Sequence, residues 1–273
     1  MNNLIKLFAL NKQNSERKFE VKASAEETTI YLYDTIVSDD LTAEWWGGVS
    51  PQAFAKALNA ITTPIVNLRI NCPGGDVFAG RAMDQAIRQH KSTFIAHIDG
   101  YAASAASYVA LACDEVEIAK GGFFMIHNAW TFAYGNADDL LKTADLLNKI
   151  DNSLVATYQD ETSQDEQQIK DWMTAETWFN ADESLQFGFA DRIAENVAKS
   201  KAKAQTQWDL TAYSKAPAAQ ADELLPEPAD EPAPPIEPET KETEPAAPAL
   251  AENNLTNQTK VRQKQKLALL ALH

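Results

Sequence analysis

The chain has 273 residues, enough for one or two domains, and its formal net charge is −15. The acidity is uneven, because residues 217–252 hold ten acidic residues, one lysine and nine of the twelve prolines. The remainder is only mildly acidic, which argues against a nucleic-acid-binding surface. Two cysteines are too few for a disulfide framework and favour a reducing compartment.

The sequence also argues against membrane and cofactor binding. No N-terminal stretch has the pattern of a signal peptide, and no apolar run approaches the ~18 residues that cross a bilayer. Histidines and cysteines at metal-ligand spacing are absent, and so is a phosphate-binding Gly-Lys-Ser/Thr loop. We therefore expect a cytoplasmic protein with no metal or other cofactor.

Strands and helices are predicted to alternate along the first half of the chain. The predicted strands cover residues 28–33, 65–70 and 93–98, and the predicted helices follow at about 51–61, 77–87 and 105–112. Ser50 and Pro51 are typical of the N-cap and first position of a helix. This alternation favours a largely parallel sheet with crossover helices, the α/β class.

The second half of the chain is predicted to contain two short strands, a long helix and a low-complexity tail. The strands cover 115–118 and 123–126, the long amphipathic helix covers 138–158, and shorter segments follow at about 165–173, 181–187 and 190–193. The domain boundaries are an N-terminal segment 1–27, a folded domain 28–199, a disordered Pro/Glu/Ala-rich linker 200–254 and a basic, leucine-rich helix 255–273.

Ser104 lies where a predicted strand ends and a predicted helix begins. The N-terminus of that helix offers free backbone N–H groups and the positive end of the helix dipole. Both would stabilise an oxyanion beside the Ser104 hydroxyl, so this serine is a candidate nucleophile. The alternative is that Ser104 is only the N-cap, which is the commoner role of serine at such a position.

A serine nucleophile needs a base, a group that orients the base, and donors for the oxyanion. His127 is the best candidate base, because it directly follows the predicted strand 123–126. The other histidines are poorer candidates: His90 ends a polar helix, His97 lies inside a strand, and His273 is terminal.

Residues 71–75 (Asn-Cys-Pro-Gly-Gly) form another loop between a predicted strand and a predicted helix. The two glycines allow the backbone to approach a ligand closely, and a free N–H there can face an oxyanion. Adjacent parallel strands bring such loops together at their carboxyl ends. A Pro-Gly-Gly sequence also forms ordinary turns, so the loop alone is weak evidence.

Three segments, in this order and spacing, together resemble the proteolytic subunit of the Clp serine proteases. They are residues 71–75, residues 100–104 (Gly-Tyr-Ala-Ala-Ser) and residues 125–128 (Met-Ile-His-Asn). The resemblance runs from about residue 28 to 194 and is closest to the bacteriophage branch, the Clp-like prohead proteases. It implies an α/β fold of repeated β-α-β units, of the Clp and crotonase type, with a long protruding handle helix.

The resemblance also implies roles for individual residues. It assigns the nucleophile to Ser104, the base to His127, and the oxyanion donors to the N–H groups of Gly75 and Ala105. The family's acidic residue precedes a Gly-hydrophobic-x-Asp ending, which residues 188–191 match.

Counting back from that ending places Glu176 at the acid position, where the family has aspartate. This departure leaves Asp171 and Asp182 as alternatives. The ordinary role of such a glutamate is that of a surface carboxylate.

Two other residues could be mistaken for the nucleophile. Ser107 lies inside the helix after Ser104, where a hydroxyl more often bonds back to a carbonyl. Cys72 invites a thiol-protease interpretation, but nothing in the sequence indicates a lowered thiol pKa or a paired histidine.

The expected function is that of an ATP-independent serine endopeptidase of a phage or prophage that cleaves scaffold and capsid precursors during head maturation. The resemblance implies ring homo-oligomers, capsid and scaffold proteins as partners, and a location in the host cytoplasm or inside the prohead. We interpret residues 255–273 as a scaffold-like module that docks on coat protein and is released by self-cleavage in the linker. An equal alternative is that these residues are a terminal tail that binds no partner.

Two further functions stay open from the sequence. The first is a housekeeping-type Clp subunit that works under an unfoldase ring. The second is a crotonase-like protein without protease activity, which would use a similar oxyanion hole for acyl-CoA substrates or serve only as a scaffold.

Overall fold

The computed structural model describes residues 18–195 and 209–217, together with Leu7 and Asn11. Eight strands lie in this part of the chain: β1 (Lys18–Ala23), β2 (Glu27–Tyr33), β3 (Ile65–Cys72), β4 (Thr93–Ala103), β5 (Glu115–Ile118), β6 (Phe123–Ile126), β7 (Thr177–Phe179) and β8 (Arg192–Ile193). The described helices are α1 (Asp40–Trp46), α2 (Pro51–Asn59), α3 (Val77–Arg88), α4 (Ala105–Leu111), α5 (Ala137–Thr162), α6 (Glu166–Ala175) and α7 (Ala181–Gln186).

The strands form one mixed sheet in the order β1-β2-β3-β4-β5-β8. The pairs from β2 to β5 are parallel, as the alternation of strands and helices predicts, and β1 adds an antiparallel edge. The α/β class predicted from the sequence is confirmed.

Strand β4 pairs with two different strands along its length. Its first half lies beside β5, with Ile95 opposite Glu115, and its second half lies beside β6, with Ala103 opposite Met125. Strand β7 then pairs antiparallel with β6 on the far side. The sheet therefore branches at the middle of β4, and the branch of β6 and β7 leads to the carboxyl end of β4.

The helices begin where their capping residues predict. The Ser50 side chain accepts a hydrogen bond from the Ala53 N–H, and Pro51 occupies the first helical position. Asp76 caps α3 in the same way, accepting from the Ala79 N–H. The packed faces of these helices and of the sheet share one apolar core.

Helix α5 is longer than the predicted 138–158 and is packed along only part of its length. Asn136 and Asp139 form a capping box at its start. Its buried side chains all lie in the second half, from Leu154 onward, whereas Leu140 and Leu141 are exposed in the first half.

Three elements were not predicted: β1, α1 and β7. Strand β1 lies within the segment 1–27 that the sequence analysis separates from the folded domain. Residues 209–217, which the composition places in a disordered linker, form turns that contact the domain through Tyr213. The predicted helix 255–273 lies outside the described residues. None of the described helices is long and apolar enough to span a bilayer.

Candidate active site

Ser104 occupies a strained turn between β4 and α4. Its backbone has φ 53° and ψ −122°, a left-handed conformation that L-residues other than glycine rarely adopt. Although Ser104 holds the N-cap position of α4, its side chain accepts no capping hydrogen bond. The simple capping role considered for Ser104 is therefore wrong, and its hydroxyl points elsewhere.

The Ser104 hydroxyl is hydrogen-bonded to His127. Oγ lies 2.8 Å from Nε2 of the imidazole. The parallel pairing of β4 with β6 explains this contact, because Ala103 lies opposite Met125 and the Ser104 N–H donates to the Met125 carbonyl. Both side chains then leave the sheet at the same edge, as the sequence predicts from the two strand ends.

Glu176 lies near His127, because both residues adjoin the last pair of the antiparallel β6–β7 ladder. His127 follows Ile126 and Glu176 precedes Thr177, and Ile126 is opposite Thr177. The charge of Glu176 acts on the imidazole. The alternatives lie elsewhere: Asp171 accepts a hydrogen bond from Gln167 on its own exposed helix face, and Asp182 is exposed on α7.

His127 is held in its neutral form by its surroundings. Burial lowers its pKa from 6.5 to about 4, and the negative charge of Glu176 offsets only part of this effect. A neutral imidazole whose Nε2 faces a hydroxyl is in the state required to accept a proton from it.

The loop at residues 71–75 approaches Ser104 from β3. Gly74 has φ +89°, and a methyl group on it would lie 2.7 Å from the Ser104 Cβ. Gly75 has φ +148°, and a methyl group there would collide with the Ile36 carbonyl. Glycine at position 74 therefore allows the loop backbone to approach Ser104 closely, and glycine at position 75 allows it to pack against Ile36.

Two backbone N–H groups are available beside Ser104. Ala105 is the first residue of α4, so its N–H precedes the hydrogen bonds of the helix. Among the described residues, neither it nor the Gly75 N–H has a backbone acceptor. Gly75, Ser104, Ala105 and His127 line one cavity of about 250 Å³.

The remainder of this cavity is mainly apolar. It extends from Ser104 along α5, from Thr143 to Tyr158. Its other lining side chains come mainly from the start of α3 and from α5, including Val77, Phe78, Leu147, Ile150 and Leu154.

The other candidates from the sequence have structural partners. Burial raises the pKa of the Cys72 thiol, so it is not an activated nucleophile. His90 bonds to the Leu58 carbonyl, and His97 bonds to Glu117 and Asn67 on the sheet surface. His273 lies outside the described residues.

Ser107 links α4 to the core by hydrogen bonds and does not line the cavity. Its hydroxyl donates to the Ser104 carbonyl and is 2.6 Å from the buried Tyr158 hydroxyl. We expect Ser107→Ala to lower the free energy of unfolding by about 1–3 kcal/mol, because it leaves the Tyr158 hydroxyl without this partner.

Urea denaturation of the Ser107→Ala variant measures this loss. The double variant Ser107→Ala/Tyr158→Phe is the control, since removing both partners costs less than removing one. Equal stability of the single variant and the wild type would contradict a structural role for Ser107.

Residues 209–217 contribute to the site, although no sequence motif assigns them to it. Tyr213 is half-buried: its hydroxyl donates to the Pro73 carbonyl, and its ring lies edge-on to His127, with 5.7 Å between ring centroids. The N–H of Lys215 donates to Oε1 of Glu176 at 2.6 Å. The sole sequence signal was an isolated tyrosine in a polar stretch.

Comparison with known proteins gives one consistent result. Residues 13–197 match the model of the Clp protease family. The chain is 26% identical over 191 residues to the ATP-dependent Clp protease proteolytic subunit 2 of Treponema denticola, covering 68% of this chain and 95% of that protein. It is 30% identical over 190 residues to the corresponding subunit of Lactococcus lactis subsp. cremoris, covering 64% and 93%.

A solved structure shares the fold. A point mutant of ClpP1 from Listeria monocytogenes superimposes with a TM-score of 0.53, covering 62% of this chain and 91% of that one, at 21% sequence identity.

Proposed function

Because the chain belongs to the Clp protease family and is a serine peptidase, we propose that Ser104, His127 and Glu176 are its catalytic triad. The observation that carries this proposal is the 2.8 Å contact between Ser104 Oγ and His127 Nε2 at the rim of an apolar cavity. A hydroxyl and a neutral imidazole in this arrangement can transfer a proton during attack on a carbonyl.

The proposed reaction is peptide hydrolysis through an acyl-enzyme. Ser104 Oγ attacks the scissile carbonyl carbon, and His127 Nε2 takes the hydroxyl proton and passes it to the leaving amine. The N–H groups of Gly75 and Ala105 donate to the oxyanion that forms on the carbonyl oxygen. Water, deprotonated by His127, then releases the acyl group from Ser104.

Glu176 is the proposed acid of the triad. Its charge raises the pKa of His127 against the effect of burial, which is how a carboxylate stabilises the imidazolium formed during the reaction. Its position next to Thr177, which is opposite Ile126 in the β6–β7 pair, supports this role over Asp171 or Asp182.

We further propose that the substrates are scaffold and capsid precursors of a phage or prophage. The family model ends at residue 197, and the acidic Pro/Glu/Ala-rich stretch and the basic, leucine-rich stretch lie beyond it. A flexible linker and a docking helix are what a protease would need to reach coat protein and then release itself by cleavage in the linker.

Incubating coat and scaffold precursors with the wild type and with Ser104→Ala tests this substrate assignment on a gel. We expect cleavage by the wild type alone. Intact-mass measurement of both proteins over a long incubation tests self-cleavage, and identical masses would contradict it. Cleavage of a model protein only when the host unfoldase is added would favour the housekeeping-type alternative.

The exposed half of α5 supports self-association into a ring. Leu140, Leu141 and Leu146 lie exposed on one long helix, with Leu141 retaining 63% of its side-chain surface. A handle helix of this kind would bury these leucines against another copy of the chain.

We expect Leu141→Asp to shift the protein to smaller species. Losing a buried leucine costs about 2 kcal/mol at each contact, roughly 30-fold in the dissociation constant. Size-exclusion chromatography with light scattering measures the shift, and Lys142→Gln, at the next residue of the same helix, is the control. Unchanged mass for Leu141→Asp would exclude Leu141 from the interface.

A further inference from the structure

The segment 209–217 is fixed against the folded domain at its start. The Asn11 side chain and the Asp209 backbone exchange two hydrogen bonds, Nδ2 to the carbonyl at 3.0 Å and the Asp209 N–H to Oδ1 at 2.7 Å. Ala212 and Leu7 are buried together in a small apolar cluster that also contains Met125 of β6. The segment is therefore held by specific contacts on the same branch of the sheet that carries His127.

The centre of the segment lies on the catalytic residues. The Tyr213 hydroxyl donates to the Pro73 carbonyl, in the loop that carries the Gly75 N–H, and is beside the Ser104 hydroxyl. The Tyr213 ring packs edge-on against both His127 and Trp178, at 5.7 Å and 5.9 Å between centroids. Tyr213 also lines the cavity that contains Ser104. A substrate carbonyl entering this space has to compete with a tyrosine side chain.

The end of the segment binds the Glu176 carboxylate. Lys215 N–H donates to Glu176 Oε1, whereas within the described chain the hydrogen bond of His127 is to Ser104. A carboxylate that accepts a strong hydrogen bond from the segment is less available to orient and stabilise the imidazole.

We propose that residues 209–217 form an intramolecular latch that holds the Ser104 site in a low-activity state. This inference rests on the proposed peptidase function. When the latch is released, Tyr213 leaves the space beside Ser104 and His127, and the Glu176 carboxylate is free to turn to the imidazole. The measured activity then reflects the fraction of molecules with the latch open.

Two substitutions in the full-length chain release the latch by different routes. Tyr213→Ala removes the side chain that covers His127, and Lys215→Pro removes the N–H that binds Glu176. The matched controls are Tyr31→Ala, which removes a tyrosine from the sheet surface, and Lys215→Ala, which keeps the N–H.

With a short fluorogenic peptide, we expect kcat/KM to rise about tenfold or more in Tyr213→Ala and Lys215→Pro, and to stay at the wild-type value in both controls. Activities of these two variants equal to or below the wild type, with hydrolysis still dependent on Ser104, would overturn the latch and leave the peptidase assignment intact. Hydrolysis that persists in Ser104→Ala would instead overturn the peptidase assignment.

A second measurement tests the latch without catalysis. The imidazole pKa of His127 is followed by NMR in Ser104→Ala and in Ser104→Ala/Tyr213→Ala. Removal of Tyr213 exposes the ring to water, so we expect the pKa to move up toward its ordinary value. The same pKa in both proteins would show that Tyr213 does not cover the site in solution.

Discussion

Replacing Ser104 by alanine is expected to lower peptidase activity by about 10⁴- to 10⁶-fold, because the triad members act as a unit and the nucleophile has no substitute. The fold should be unaffected, since the Ser104 side chain makes its hydrogen bond with His127 and caps no helix. Hydrolysis of a fluorogenic peptide measures the loss, and circular dichroism verifies the fold.

Ser107→Ala is the matched control for this experiment. It removes a serine hydroxyl three residues away, on the same helix, that lies in the core and not in the cavity. We expect this variant to keep most of its activity at temperatures where it is folded. A fluorophosphonate should label the wild type and not Ser104→Ala, and cleavage by Ser104→Ala at the wild-type rate would exclude Ser104 as the nucleophile.

Acidification is expected to destabilise the protein through His127. The folded-state pKa is about 4, while the unfolded chain has the ordinary value of 6.5. Below pH 6.5 the unfolded state binds a proton that the folded state does not, so the free energy of unfolding falls as the pH falls. The loss is complete near pH 4 and amounts to about 3 kcal/mol.

Urea denaturation between pH 7.5 and pH 4 measures this contribution. The control is His127→Gln, which has no titrating group at this position and should lose about 3 kcal/mol less than the wild type over the same range. Parallel pH profiles for the two proteins would contradict a neutral, desolvated imidazole.

The main site residues were predictable because each follows a buried strand. Ser104 follows β4 and His127 follows β6, and the ends of parallel strands meet at one edge of a sheet. Glu176 was harder to assign, because its position depends on β7, a strand of three residues with no pattern of its own. It becomes a neighbour of His127 only through the register of the β6–β7 pair.

The elements that the sequence does not predict are held by contacts with residues far away in the chain. Strand β1 is a charged edge strand, and α1 buries no residue, so neither shows the apolar periodicity that marks a packed element. The sequence predicts that β4 ends at residue 98, because Asp99 and Gly100 are typical turn residues. In the structure β4 continues to Ala103, and its last residues pair with β6.

Tyr213 illustrates the limit of local patterns most clearly. Its partner Pro73 lies 140 positions earlier in the sequence, and the residues around it have the polar composition of a linker. A contact of this separation has no periodic signature, so composition alone assigned the segment to the disordered part of the chain.

The branching of the sheet at β4 places the site on a separate arm of the strand pairing. The ladder of β2, β3, β4 and β5 is continuous without the short β6–β7 arm, which His127 and Glu176 adjoin. Such an arm can open as a local unit while the remaining ladder stays intact. Amide hydrogen exchange should then find a folded yet inactive species, with the amides of Phe124 and Ile126 exchanging before those of Leu68 and Ala96.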